Sequence, residues 1–408
     1  MRRLAVGIVL FFLTVPVVGQ ITWNLATPAA PWAPRELHAS VAFDNSMWVL
    51  YGRGADAKDV WSSKDGTNWT QAASTPGYGN DQVALDYDGK MWLLGGYKDG
   101  NYTSDVLYST DGETWIKVNT NQPMWTSRIG HRALVYDGKM WVLGGFQYPG
   151  YDPLNDVWYS TDGATWTLAT PAAQWPPRFW HSAAVHDGKM WVLGGCNPDD
   201  LNDVWYSTNG LNWTQATSAA GWSARHLHTS VGFDGKLWVL GGYDGSHRND
   251  VWYSTDGAYW TEMPRSTPMW SQRCSHTTIV YDSKIWVMGG QIAHNNFLND
   301  VWWTSGSGGV EEEAESLLLP WLEVSPNPVT GEVTTVKVQG FKGSRVQGAN
   351  LRVFDAAGRC VLVHLLAIGE WSSGIPLDIR RLSSGIYLAR LEASEFSVAQ
   401  RIVVSRLR

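Results

Sequence analysis

One ten-residue phrase, written six times along the chain, limits what this sequence can fold into more than any other feature. Residues 136–145 read Tyr-Asp-Gly-Lys-Met-Trp-Val-Leu-Gly-Gly; close copies stand at 87–96, 186–195, 233–242 and 281–290, and a more degenerate one at 43–52. After each copy comes a stretch of variable length and then a second phrase, Asp-Val with an aromatic residue, as in Asp156-Val157-Trp158 and Asp250-Val251-Trp252. The units follow one another at about fifty residues each. A segment that short buries no core alone, so units repeated head to tail must stack and share one.

Within a unit the pattern is that of strands. Residues 131–136 alternate small and larger apolar side chains, 139–143 form a buried apolar run, and 157–160 and 166–169 complete a set of four. Asp137-Gly138 and Asp162-Gly163 mark tight hairpins, because Gly reaches positive φ readily and Asp hydrogen-bonds its own turn. The Gly doublet closing the first phrase leaves room for a neighbouring backbone. Four strands per unit and six units predict an all-β chain built as a six-bladed β-propeller. Its ends match. The sixth unit stops at Trp302-Trp303-Thr304 without a fourth-strand Trp, while Ile21-Thr22-Trp23 stands alone ahead of the first, so residues 21–26 are expected to close the last blade. Of the 26 Trp, 24 precede residue 310, mostly at repeated positions, which assigns them to packing between blades; Trp180 and Trp303 stand outside the pattern and are kept as functional candidates.

The Gly-Gly doublet, the aromatic residue of the third strand and the Trp of the fourth make residues 21–305 similar to the kelch family. The resemblance implies a kelch-type propeller. The phrase at 160–166, Ser-Thr-Asp-Gly-Ala-Thr-Trp, also resembles a shortened Asp-box of sialidase-type propellers.

The flanks carry address information. Arg2 and Arg3 precede an apolar run and then small Gly19, so residues 1–20 read as an export signal, too short and too interrupted by Pro16 for a membrane anchor. Three cysteines, widely spaced, supply no disulfide framework. Residues 306–319 read as a solvated Gly/Ser- and Glu-rich linker, and 320–408 as a small C-terminal β-sandwich. Ser325-Pro326-Asn327-Pro328, the run Leu351-Arg352-Val353-Phe354-Asp355 and the closing Arg401-Ile402-Val403-Val404 make that tail similar to the sorting domain of type IX secretion cargo. The similarity implies the type IX machinery as a partner, and delivery to the exterior of a Gram-negative-type cell, released or on its surface, with no membrane span in the mature chain. A net charge of -7 offers no field for a phosphate backbone, which excludes nucleic acid as an expected partner.

Catalytic signatures are scarce: the sequence has no phosphate-binding Gly loop, no Gly-x-Ser-x-Gly elbow, no His-Glu-x-x-His and no paired-Cys zinc spacing. No cofactor, metal site or catalytic residue is expected. A motif Trp-x-x-Arg-x-x-His opens five units and supplies Arg35, Arg128, Arg178, Arg225 and Arg273, with Gly79 and Gln82 in its place in unit two. Two readings stand. Either each Arg stacks on its Trp and binds carbonyls of the adjacent blade above a buried, satisfied His, or the five form a cationic ring at the axial mouth, open on the side of unit two. The stretches between the Gly doublet and Asp-Val vary in length and share one rim, where recognition is usually carried. Their unrepeated side chains, Tyr97, Tyr148, Tyr151, Arg248 and His294 among them, are candidate ligand contacts above the Arg ring. The expected function is non-catalytic binding or adhesion towards a glycan or protein ligand; the alternative is a glycan-acting enzyme, sialidase-like or galactose-oxidase-like, with its site at the axial mouth.

Overall fold

Every repeat folds into an antiparallel sheet, and in the first five the four main strands follow chain order outward from the innermost. The computed structural model describes residues 21–305 apart from 56, 75–77, 148, 149 and 151, and beyond them the segments 321–325, 333–339, 349–355, 359–366, 375–380, 382–392 and 397–404. The expected signal and linker lie outside the described residues. The chain divides into two compact units, 1–309 and 310–408, and the described residues contain no α-helix.

Among the described residues of 1–309, six larger sheets, one per repeat and numbered in repeat order, are accompanied by one two-stranded hairpin, Tyr97–Lys98 with Asn101–Tyr102. Sheet one comprises Ala39–Phe43, Ser46–Leu50, Asp59–Ser63 and Thr70–Ser74; sheet four, the most regular, comprises Ser182–His186, Lys189–Asn197, Asp199–Ser207 and Thr214–Thr217. Sheet six is completed from the other end of the chain: Asn24–Thr27 pairs antiparallel with Asn296–Thr304. The closing strand therefore sits a few residues later than the 21–26 expected from sequence, while Ile21 and Trp23 ahead of it are buried in the core of sheets five and six. The innermost strands touch in order, from Ala39–Phe43 through Val83–Tyr87, Arg132–Tyr136, Ser182–His186 and Thr229–Phe233 to Thr277–Tyr281, which touches the first again.

Tryptophans make the joints. The Trp that opens a unit meets the Trp ahead of its fourth strand edge to face, with centroids 5.9 Å apart for Trp32 and Trp69 and 5.9 Å for Trp175 and Trp213. Trp270 of sheet six has no such partner downstream. Trp23 takes that place, at 5.8 Å and 84°. Between sheets, the hairpin Gly of one unit lies on the second-strand Trp of the unit before: a Cβ on Gly163 would overlap the ring of Trp92, and one on Gly66 the ring of Trp286. Ser and Asp side chains lock that hairpin, with Ser160 Oγ accepting from Gly163 N and Asp162 Oδ1 from Ala164 N and Thr165 N. The phrase resembling an Asp-box is thus a turn lock, repeated in five sheets, with Asn209 in place of the Asp in sheet four.

The Gly doublets behave differently from the expected strand ends. In sheets three to six the second strand runs through the doublet after a register shift, so much of the expected loops is ladder: Cys196 faces Asp200, and Tyr243 faces His247. Both glycines hold positive φ, 51° and 107° at Gly144 and Gly145, where Gly145 N donates to Arg178 O of the next sheet at 3.0 Å.

The tail's described strands form two sheets: Trp321–Ser325, Val333–Gln339 and Ile375–Asp378, and Cys360–Leu366, Ala349–Phe354, Gly385–Glu392 and Ser397–Val404.

Candidate functional site

The repeated Arg and the repeated Asp are two halves of one clamp. Arg178 is fully buried, stacks over Trp175 at 5.7 Å, and donates from Nη1 to Gly194 O at 2.8 Å and to Asp203 Oδ1 at 2.7 Å, while Nη2 reaches Asp203 Oδ2 at 2.8 Å. Asp203 also accepts from Trp205 Nε1 at 2.7 Å. Arg128, Arg225 and Arg273 repeat this bidentate pairing with Asp156, Asp250 and Asp300, and Arg35 makes a single bond to Asp59. The five guanidinium groups therefore do not form a solvent-facing cationic ring, because each is sealed in and neutralised by its own Asp. The carbonyls they bind belong to their own sheet rather than to the adjacent one; it is the backbone that reaches across, as Arg178 N does to Leu154 O at 2.9 Å.

Unit two closes the same gap with other groups. Tyr78 Oη donates to Asp105 at 2.9 Å, and Lys98 and Lys117 pair with that carboxylate at 3.2 and 2.6 Å. Gln82 is buried and donates from Nε2 to Tyr97 O at 2.8 Å. The repeated histidines are buried, and the expected hydrogen bonds are met in part: His38 Nε2 and His276 Nε2 pair with the Thr277 and Thr229 hydroxyls at 2.8 and 3.1 Å, whereas neither ring nitrogen of His181 or His228 has a partner. Burial and the neighbouring arginines keep them neutral, with His276 held down to about 3.

One residue ahead of each repeated His, and of Gln82 in unit two, a ring of left-handed residues surrounds the axis. Leu37, Asp81, Gly130, Trp180, Leu227 and Ser275 have φ between 49° and 60°. Their backbones are linked around the ring: Leu37 N donates to Ser275 O, Asp81 N to Leu37 O, Trp180 N to Gly130 O, Leu227 N to Trp180 O and Ser275 N to Leu227 O, at 2.8–3.0 Å. Left-handed backbone at a non-Gly residue costs about 1 kcal/mol or more. Five such residues are held here by the ring, and their side chains, unlike the clamp's, follow no common type, with Leu at 37 and 227 and Asp, Trp and Ser at the other three. Below them the innermost strands line an axial cavity of about 180 Å³ that contains Asp81, Gln82, Arg132 and the Ser182 and Ser230 hydroxyls. Burial pushes the Asp81 carboxyl up to about 6, against the pull of Arg132. Glu36, also buried and raised by burial, is ion-paired with Arg53 at 3.1 Å.

Beside the ring, unrepeated aromatic side chains join across three sheets. Phe146 meets Phe179 at 4.9 Å, Phe179 meets Trp180 at 4.9 Å, Trp180 stacks on His226 at 5.7 Å and 22°, His226 meets Tyr243 at 5.6 Å, and Tyr243 meets His247 at 5.2 Å. All six are half-buried. Asp200 binds His226 Nδ1 at 2.6 Å, and Asp244 holds Arg248 Nε at 2.8 Å. At the seam, burial and Asp200 push the Cys196 thiol up to about 12.

Residues 58–242 and 159–307 match the family described as the KLHDC2/KLHL20/DRC7 Kelch-repeats domain. The chain belongs to the kelch-repeat family. Residues 323–405 of this kelch protein match a second family, the secretion system C-terminal sorting domain, which indicates export by type IX secretion to the cell surface or beyond. Among solved structures the chain is similar to the one described as the structure of YjhT, at 17% identity and a TM-score of 0.56, over 68% of this chain and 96% of that one. That likeness concerns the propeller fold alone. No curated protein sequence matches the chain, and no helix among the described residues is long and apolar enough to cross a membrane.

The candidate contacts of the kelch repeats fall in several places. Arg248 lies at the end of the aromatic arc, paired with Asp244. Tyr97 lies in sheet two's own small hairpin, facing Tyr102 with rings 6.0 Å apart, and His294 is exposed at the turn of sheet six. Tyr148 and Tyr151 lie outside the described residues. Trp180 is in the arc. Trp303 is not: it packs on Trp286 under Lys284, where other units place a Tyr such as Tyr159 against Trp141. Phe179 and His226 were missed, although each fills the variable position next to the clamp Arg.

Proposed function

We propose that this protein is an exported, non-catalytic glycan-binding module, a six-bladed kelch propeller whose ligand face is the aromatic arc at the axial mouth. A sandwich-like tail directs its delivery outside a Gram-negative-type cell after removal of a signal within residues 1–20. The observation that carries the reading is the contiguity of six unrepeated rings, from Phe146 to His247, edged by Asp200, Asp244 and Arg248. Ring faces stack on the apolar faces of sugars, and carboxylate and guanidinium groups at their edge bind hydroxyls. Repeated positions are consumed by packing and clamps, which leaves this face as the part of the ring free to differ. Six sheets, with innermost strands touching in a closed order, support the blade count.

A second reading has one observation in its favour. Asp81 and Glu36 are unrepeated carboxyl groups at the mouth, both raised by burial, and a pair of carboxyl groups is what glycoside hydrolysis uses. A glycan array, followed by a turnover assay on sialylated and galactose-terminated sugars, separates the two. The binding reading expects retention on a defined set of glycans, a loss of at least about tenfold in affinity for Trp180→Ala, and no released sugar. Sugar release that disappears in Asp81→Asn would establish the enzyme instead.

A further inference from the structure

We propose that Cys196, Asp200 and His226 form a site for one divalent transition-metal ion, with zinc as the ion that best fits the donor set. Their sulfur, oxygen and nitrogen ligand atoms lie within 4.8 Å of one another. Cys196 and Asp200 are direct partners across the hairpin of sheet four, and His226 arrives from the entrance of sheet five, where it bridges to Tyr243. The donors thus come from two elements that the fold fixes separately, and an ion bound by all three would pin sheet four to sheet five.

Thiolate, imidazole and carboxylate are the ligands zinc takes, at about 2.3, 2.0 and 2.0–2.2 Å. Tetrahedral geometry then separates the ligand atoms by roughly 3.3–3.8 Å, which is within side-chain reach of the observed cluster. At present Asp200 Oδ1 and His226 Nδ1 share a proton across 2.6 Å. The ion takes the place of that proton, which moves to Nε2 of the ring, and the thiol proton leaves to solvent, so that one metal–sulfur, one metal–nitrogen and one metal–oxygen bond form with net release of one proton. The ring is already held for this role, stacked on Trp180 and met edge-on by Tyr243. An entry path exists, since the His226 and Asp200 side chains are 18% and 25% exposed. Cys196 is in no disulfide. A fourth position would remain for water or a ligand oxygen. The site shares His226 and Asp200 with the aromatic arc, but metal binding is read without any glycan, so its failure and the failure of the glycan reading are distinguishable.

The test uses the untagged full chain, titrated with zinc by calorimetry and with cobalt by absorption. One zinc per chain is expected, with a cobalt–thiolate charge-transfer band that vanishes in Cys196→Ser and persists in Cys274→Ser, a buried thiol elsewhere. Affinity should fall by more than about 100-fold in Cys196→Ser. If that variant does not fold, His226→Gln provides the same comparison. Absence of stoichiometric zinc binding by the folded chain, or binding that survives loss of Cys196 or His226 unchanged, overturns the site.

Discussion

Arg178→Met should destabilise the propeller by about 3–5 kcal/mol, the cost of leaving a buried carboxylate without its partner. Asp203 is buried, and in the variant it keeps only the indole N–H of Trp205 against the loss of two guanidinium bonds. Gly194 O loses its donor as well. The double variant Arg178→Met/Asp203→Leu is expected to recover a large part of the loss, because an apolar pair of similar volume removes the stranded charge. Urea unfolding of the three proteins measures this. A single variant as stable as the parent would mean that the clamp is not what holds the second and third strands together.

A larger effect is expected from removing residues 21–27. The deletion takes away the buried side chains of Ile21 and Trp23, the edge-to-face partner of Trp270, and the strand that covers the edge of Asn296–Thr304. Loss of a buried Trp alone costs about 3–5 kcal/mol, and the uncovered strand becomes a template for pairing with other chains. Thermal unfolding should change from one cooperative transition to a broad, early one accompanied by aggregation. Trp23→Ala should fall between the parent and the deletion. An unchanged melt would show that Asn24–Thr27 does not close the ring.

Both effects arise from positions that the sequence advertises by repetition. Trp23 was legible as a spare fourth-strand residue because five other units place a Trp before that strand. The clamp was half legible: Arg and Asp each recur, but about 25 residues separate Arg178 from Asp203, and nothing local says that they meet. Where a unit departs from the pattern, sequence was a poorer guide. Gly79 and Gln82 suggested an opening, yet Tyr78, Lys98 and Lys117 converge on Asp105 from three segments and fill it. Trp303 looked singular because a Trp replaces a Tyr at a repeated position. The arc was the least legible part, since Phe146, Phe179, His226 and Tyr243 occupy variable positions in three units and become neighbours only when hairpins of adjacent sheets lie side by side. Cys196, Asp200 and His226 carry no metal-site spacing for the same reason.

On the proposed reading, repeated residues build the ring and unrepeated residues at its mouth bind the ligand. Amide hydrogen exchange, followed by mass spectrometry with and without the glycan retained on the array, tests that division most directly. Slowed exchange is expected in peptides covering residues 176–182, 196–202, 224–228 and 243–248, with no change in the hairpins at 64–68, 161–165 and 208–212. Protection confined to those hairpins, or none anywhere at saturating glycan, would contradict it.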